Sequence, residues 1–487
     1  MESISMNKFF SQINWPLVLG AIVIFELLSF LAFFFTDLNY IFLILTFIAT
    51  AIIAWRSLEW GILLILIELI IGSHGHMFSI DILSFSLSVR MSIWLAVMLV
   101  FFVKLIIQRQ SLIAIIKKIP YLKFYILLAF FIAFSLINAF FLGNDLSNIL
   151  ANFNTWLFFL LILPISYVYC VKDKQRLERL KSIFFLATLW LSLKTLFLVV
   201  FFSYDIAILP DLYRWLRVTG VAEVTTMADT WPRIFLQSHI FSSIAFLILV
   251  FKRDFASRWN IKEMLFAAVF LSTVIISFSR TFWLSMIIVF ILFSAFTLIK
   301  TKKLKKIKHW FLKIFLIVIL SFSFIYLANN ILFLSSTSQF SLRNIRDRAS
   351  YQQDEAAVAS RWSLLPVLID DIMKKPIQGH GFGATVLYES SDPRVLQFHE
   401  DGWYETYTFE WGYLDLWHKL GLLGLIAYVS FLISLLFYSF KYRSDHFLTP
   451  ALLFLVIIHF FTPYLNHPLG IMIILLSSCL LAKDKLL

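Results

Sequence analysis

The stretch MLFAAVFLSTVIISFSRTFWLSMIIVFILFSAFTLI, from Met264 to Ile299, decides the fold. It carries one charge, Arg280. As a single helix its roughly 36 residues would run about 54 Å, far more than the ~30 Å hydrocarbon layer of a bilayer. The segments on either side, 252–262 and 300–313, are rich in Lys and Arg, which favour the cytoplasmic side of a membrane. Both ends therefore belong on one side. The stretch must cross twice, reversing at Ser277 to Thr281 and carrying Arg280 to the outer surface.

The same hydropathy recurs along the chain. Hydrophobic residues make up 61% of it and charged residues 14%, with a mean hydropathy of +0.87. Helices are expected near 15–35, 39–54, 58–72, 90–107, 122–141, 152–170, 181–203, 234–251, 262–277, 281–299, 309–334, 412–440, 447–463 and 467–483. The runs are continuously apolar, unlike the alternating strands of an outer-membrane barrel. The fold class expected is all-α: a polytopic integral membrane protein of about 14 spans with a large extracytoplasmic loop containing amphipathic helix. Residues 1–203 read as N-terminal spans, 204–334 as core spans with an outer loop at 204–233, 335–411 as a large periplasmic loop, and 412–487 as C-terminal spans.

Met1 to Asn14 holds only Glu2 and Lys8 as charges and no small-residue cleavage signature, so the first helix is expected to stay uncleaved. With both termini cytoplasmic, the basic loops 104–123, 172–181, 252–262, 300–313 and 441–443 all fall inside. The net charge of +12 is then spent on topology and lipid headgroups, and no nucleic-acid partner is expected. Cys170 and Cys479 form neither a disulfide pattern nor a CxxC metal motif. No internal repeat stands out, which argues against an alternating-access carrier.

The charges left over lie in 204–233 and 335–411. From Asp354 to Lys374, apolar residues including Ala357, Trp362, Leu365, Val367, Leu368 and Ile372 fall at helical spacing, as in a helix lying along a membrane surface. Pro376 stops it, and Gly379, Gly381 and Gly383 allow either a tight reversal or a close approach to a ligand. Beyond lie His399, Glu400, Trp403, Tyr407 and Glu410, then Tyr413-Leu414 and Gly421-Leu-Leu-Gly-Leu425. Arg280, a lone charge in an apolar run, needs a partner and reads as functional by default. Arg214 and Arg233 rest on position alone, and snorkelling is the common fate of an arginine near a helix end.

Arg361-Trp362, Pro376, the G-x-G-x-G run, Tyr413-Leu414 and the Gly-Leu-Leu-Gly-Leu helix together resemble the bacterial O-antigen ligase and Wzy-type O-antigen polymerase family. Ser279-Arg280-Thr281 and Arg217-Val218-Thr219-Gly220 resemble two further signatures of it. The resemblance implies a metal-independent, cofactor-free glycosyltransferase of the bacterial inner membrane. Its donor would be an undecaprenyl-diphosphate-linked glycan at the periplasmic face of the lipid bilayer. The acceptor would be another glycan repeat unit in a polymerase or lipid A core in a ligase; a lipid-linked oligosaccharide flippase is the rival from another class.

The resemblance assigns diphosphate binding to Arg217 and Arg280, with Arg361 at the start of the surface helix as a third candidate and Arg233 added on position alone, because guanidinium groups meet phosphate oxygens bidentately and stay charged when desolvated. Gly379, Gly381, Gly383, Trp403 and Tyr407 become candidate glycan contacts. The sequence departs from the family at one place. The usual His-Asn pair before Tyr-Leu is replaced by Glu410-Trp411. Glu410 can take the acceptor proton as a general base or simply cap the following helix; His399, Glu400 and His418 are the reserve bases. His74 and His76 lack a third close ligand, and no metal is expected.

Overall fold

The computed structural model describes residues 12–82, 85–170, 173–204, 206–227, 231–251, 260–301, 304–330, 356–399, 401–441 and 448–483. Glu400 and the loop residues 331–355 lie outside this set. The chain divides into two compact units, one of residues 1–112, 164–349 and 443–454, the other of 113–163, 350–442 and 455–487.

Among the described residues, eight helices are long and apolar enough to cross a membrane: Trp15–Phe34, Thr36–Arg56, Val89–Ile107, Leu122–Phe141, Leu146–Tyr169, Lys174–Ser203, Lys308–Asn330 and Gly412–Lys441. Shorter apolar helices accompany them at His239–Val250, Arg280–Phe296, Leu448–Ile458 and Pro468–Leu481. The chain is an all-α polytopic membrane protein.

In the first unit, charges inside the apolar helices are paired, as a medium without water requires. Lys194 donates to Glu26 at 2.6 Å and to the Ile71 carbonyl at 2.9 Å, and the Trp190 indole donates to the same carboxylate. Arg90 meets Glu68 at 2.8 Å and the Ser73 carbonyl at 2.7 Å. The long apolar run does reverse where its length demands: one helix ends at Ile276 and the next starts at Arg280.

Two expectations change. The span expected at 234–251 starts as a strand, Trp231–Phe235, and turns helical only at His239, because a short aromatic and β-branched run serves either state until a partner strand is present. That partner is Glu223–Met227, paired antiparallel with Thr225 opposite Arg233. The segment 204–233 is thus no open loop: it holds this hairpin and the helix Leu209–Val218.

In the second unit, the surface helix Ala356–Lys374 buries Leu364, Leu368 and Ile372 against Val386, Tyr388 and Phe409, the i, i+4, i+8 stripe of an amphipathic helix. Val386 and Tyr388 come from a hairpin, Val386–Glu389 with Trp403–Thr406, in which Tyr388 faces Tyr404. Ser360 ties helix to hairpin through the Tyr388 hydroxyl at 3.0 Å and Ser390 at 2.7 Å.

Candidate active site

The first unit carries three of the expected arginines. Arg217 lies exposed near the end of the helix Leu209–Val218, whose Trp215 and Leu216 are buried. Among the described residues nothing holds its guanidinium. The turn that follows needs Gly220: its φ is +62°, and a Cβ there would come within 2.9 Å of the His74 side chain, while the His74 N–H donates to the Gly220 carbonyl. Burial, with the Arg90 charge next, lowers the His74 pKa to about 4, so this ring is neutral at pH 7.

Arg233, one hairpin further on, donates from Nε to the Ser277 carbonyl at 3.0 Å and covers the Phe235 ring at 5.2 Å. It is thereby tied to the reversal that ends in Arg280. That reversal is strained, since the fully buried Phe278 sits at φ +47°, a region that bulky residues avoid at a cost of about 1–3 kcal/mol. Ser277 and Ser279 hold it through the Val274 carbonyl and the Thr281 hydroxyl, and Arg280 opens the next helix half-buried. Arg214 is exposed and paired with Asp211.

The second unit brings Arg361 and Glu410 together. Their side chains form an ion pair and remain 41% and 48% exposed, open enough to meet a substrate. Glu410 is held from the flank as well: the Trp411 indole donates to the Arg361 carbonyl at 3.2 Å, and Trp362 meets Trp411 edge-to-face at 5.4 Å. Trp403 is half-exposed and Tyr407 partly buried. His399 is exposed, against Tyr404.

The glycine run has a backbone explanation. The helix Gly412–Lys441 breaks at Gly421, with φ +72° and ψ +174°. The break exchanges hydrogen bonds: Leu422 N–H donates to the Pro376 carbonyl, and the freed His418 carbonyl accepts from His380 N–H at 2.7 Å. Ser135 caps the Lys419 carbonyl. Gly379, Gly381 and Gly383 all have positive φ, and a Cβ on any of them would come within 2.6 Å of backbone nitrogen, from Gly421, Ala139 and Ile149 respectively. Space beside these α-carbons is filled by helix backbone.

Three asparagines, which sequence reasoning passed over, hold the same loop. Asn138 donates to the Gly379 carbonyl, Asn144 to those of His380 and Phe382, and the Asn152 oxygen accepts from Gly383 N–H. Side-chain amides within two apolar helices and in the turn that joins them were the available signal.

His418 is fully buried and bonded to Asp371 at 2.9 Å. That bond, more than any other cause, holds the Asp371 pKa well below the usual aspartate value. Asp371, His380 and His418 offer donor atoms all within 4.8 Å of one another, a set that also suits a metal by residue type. Yet the two imidazoles stack at 4.6 Å and 8°. An imidazole binds a metal close to its own ring plane, so ligation of one ion by both histidines would ask these stacked rings to reorient.

Residues 265–429 match the family model described as O-Antigen ligase. The chain carries an O-antigen ligase family domain. This domain takes in the Arg280 reversal, the surface helix, the glycine run, Glu410 and the Gly421 break. Comparison with curated proteins and with solved structures gave no match. The match over this stretch supports lipid-linked glycan transfer in polysaccharide biosynthesis, a glycosyltransferase-like activity of a membrane protein.

Proposed function

We propose that the protein polymerises surface-polysaccharide repeat units, using an undecaprenyl-diphosphate-linked glycan at the periplasmic face of the inner membrane. The observation that carries this reading is Glu410. It stands at the position of the family's histidine and is presented half-exposed beside Arg361 rather than buried in a helix cap.

In the proposed step the acceptor hydroxyl oxygen bonds to the anomeric carbon of the donor as the bond to the diphosphate oxygen breaks. Glu410 takes the hydroxyl proton, and the diphosphate leaves with the bonding electrons. Arg361, paired with Glu410, neutralises that departing charge, for which a planar guanidinium fork suits better than an ammonium group; Arg217 and Arg280, with Arg233, are the further diphosphate-binding candidates. Trp403 and Tyr407 offer ring faces to sugars. The replaced histidine favours a polymerase over a ligase acting on lipid A core.

Purified protein in nanodiscs, given polyprenyl-diphosphate glycan alone, should build a ladder of products on the lipid carrier. Transfer only on addition of lipid A core would make it a ligase, and translocation of the donor without bond formation would make it a flippase. Glu410→Gln should lower turnover by about 10²–10⁴-fold, the usual worth of a general base. Full turnover by that variant would remove Glu410 from the chemistry.

A further inference from the structure

We propose that Asp415 is a positioning residue that, with Lys419 and Asn466, aims Glu410 at its proton. The inference rests on Glu410 as the base. Asp415 is almost fully buried, and so is Lys419. Its Oδ1 accepts from Lys419 Nζ at 2.6 Å and from the Phe409 N–H at 3.3 Å, and its Oδ2 accepts from Asn466 Nδ2 at 2.6 Å. The carboxylate thus reaches back past the start of its own helix to fix the backbone one residue before Glu410.

Phe409 is pinned on its other side too. Its ring is 1% exposed, packs edge-on to His418 at 4.9 Å and lies under the Lys419 ammonium at 5.7 Å. With the Phe409 backbone held by Asp415 and the Glu410 carboxylate held by Arg361, the base has little freedom left. A buried ion pair adds little stability over an apolar pair of similar size, so its use points to conformational specificity. Lys419 and Asn466 account for both carboxylate oxygens and set the angle at which Oδ1 meets Phe409.

The test is steady-state kinetics of glycan transfer in nanodiscs with two charge-neutral double variants. Asp415→Asn with Lys419→Met keeps an acceptor for Phe409 N–H, whereas Asp415→Leu with Lys419→Met keeps none. The Leu/Met variant should lose kcat by about 10–100-fold, in the range that misplacement of a catalytic group by about 1 Å produces, with donor KM unchanged. The Asn/Met variant should stay within about threefold of wild type, and equal losses in both, or a loss confined to KM, would overturn the inference.

Should the Leu/Met protein fail to fold, Asn466→Leu supplies the test, since it frees one carboxylate oxygen without stranding a charge; it should lower kcat severalfold, and wild-type kcat would refute the role. Glu410→Gln separates the two claims. If Glu410→Gln is active, the base assignment falls; if it is dead while Leu/Met turns over normally, only the positioning role falls.

Discussion

Adding one methyl group at Gly381 tests whether the glycine run is a packing joint. The position combines two demands, φ of +78° and a Cβ that would lie 2.6 Å from the Ala139 nitrogen and 2.8 Å from its Cα. Two other glycines separate these demands. Gly143 has φ +73° with nothing within 4 Å of its Cβ position, and Gly20 sits in a helix with neither constraint. Gly143→Ala should therefore cost only the left-handed strain, about 1–2 kcal/mol. Gly20→Ala should stabilise by about 0.5–1 kcal/mol. Gly381→Ala must bear the strain and also force loop and helix apart by nearly 1 Å in a packed interior, adding about 1–3 kcal/mol. Thermal unfolding in detergent, followed by loss of the monodisperse peak, ranks the three. If Gly381→Ala and Gly143→Ala melted together, the close approach would not be holding the loop. If Gly381→Ala kept its stability and lost only affinity for glycan, the joint would be a ligand contact instead.

Arg280→Ala should cut transfer by about 10²–10³-fold, as loss of one fixed transition-state cation does, and Arg280→Lys should recover only part of it; turnover with a defined lipid-linked donor measures both. Glu26→Leu should destabilise by about 3–5 kcal/mol by stranding the Lys194 ammonium, and Glu26→Leu with Lys194→Met should restore most of it, which chemical denaturation in mixed micelles would show. Asp371 has a folded pKa below its ordinary 3.8, so the folded state binds its proton less readily than the unfolded chain. Its contribution to stability is complete above about pH 4 and is lost as pH falls below that toward the folded value. Asp371→Asn should flatten the acid limb of a melting-temperature profile below pH 4 and lower stability at neutral pH.

The helices were legible because the bilayer asks one thing of every span, an apolar surface over a fixed length. Each expected apolar segment contains a helix, and the reversal before Arg280 followed from length and flanking charge alone. The surface helix Ala356–Lys374 was legible as a helix, but its buried face only in part: of the apolar residues that marked it, Leu368 and Ile372 lie on the buried stripe, Leu364 completes that stripe unannounced, and Trp362 and Val367 are exposed. The hairpins were not legible. Strands of four or five residues, such as Val386–Glu389 and Trp403–Thr406, hold too few alternations to register, and their paired residues, from Glu389 with Trp403 to Val386 with Thr406, lie well apart along the chain.

Partnership is the general blind spot, and it explains the site as well as the fold. A buried Lys194 announces that some carboxylate must exist, but 168 positions separate it from Glu26, and an apolar sequence offers several spans that could supply the partner. The glycine run behaves the same way: its three left-handed turns could be anticipated, yet whether ligand or helix fills the space beside them depends on Ala139 and Ile149, which carry no mark in the sequence. Glu410 lies between these cases. Its place before Tyr413-Leu414 was visible in one dimension, while its pairing with Arg361 forms only when the surface helix docks, and the fixing of Phe409 by Asp415 only when Lys419 and Asn466 gather around that carboxylate. A residue's chemistry is thus readable from its type and neighbours, but its orientation is set by groups from other segments. For this reason the variants that test Asp415 discriminate more sharply than deletion of Glu410, which would be silent on how the carboxylate is aimed.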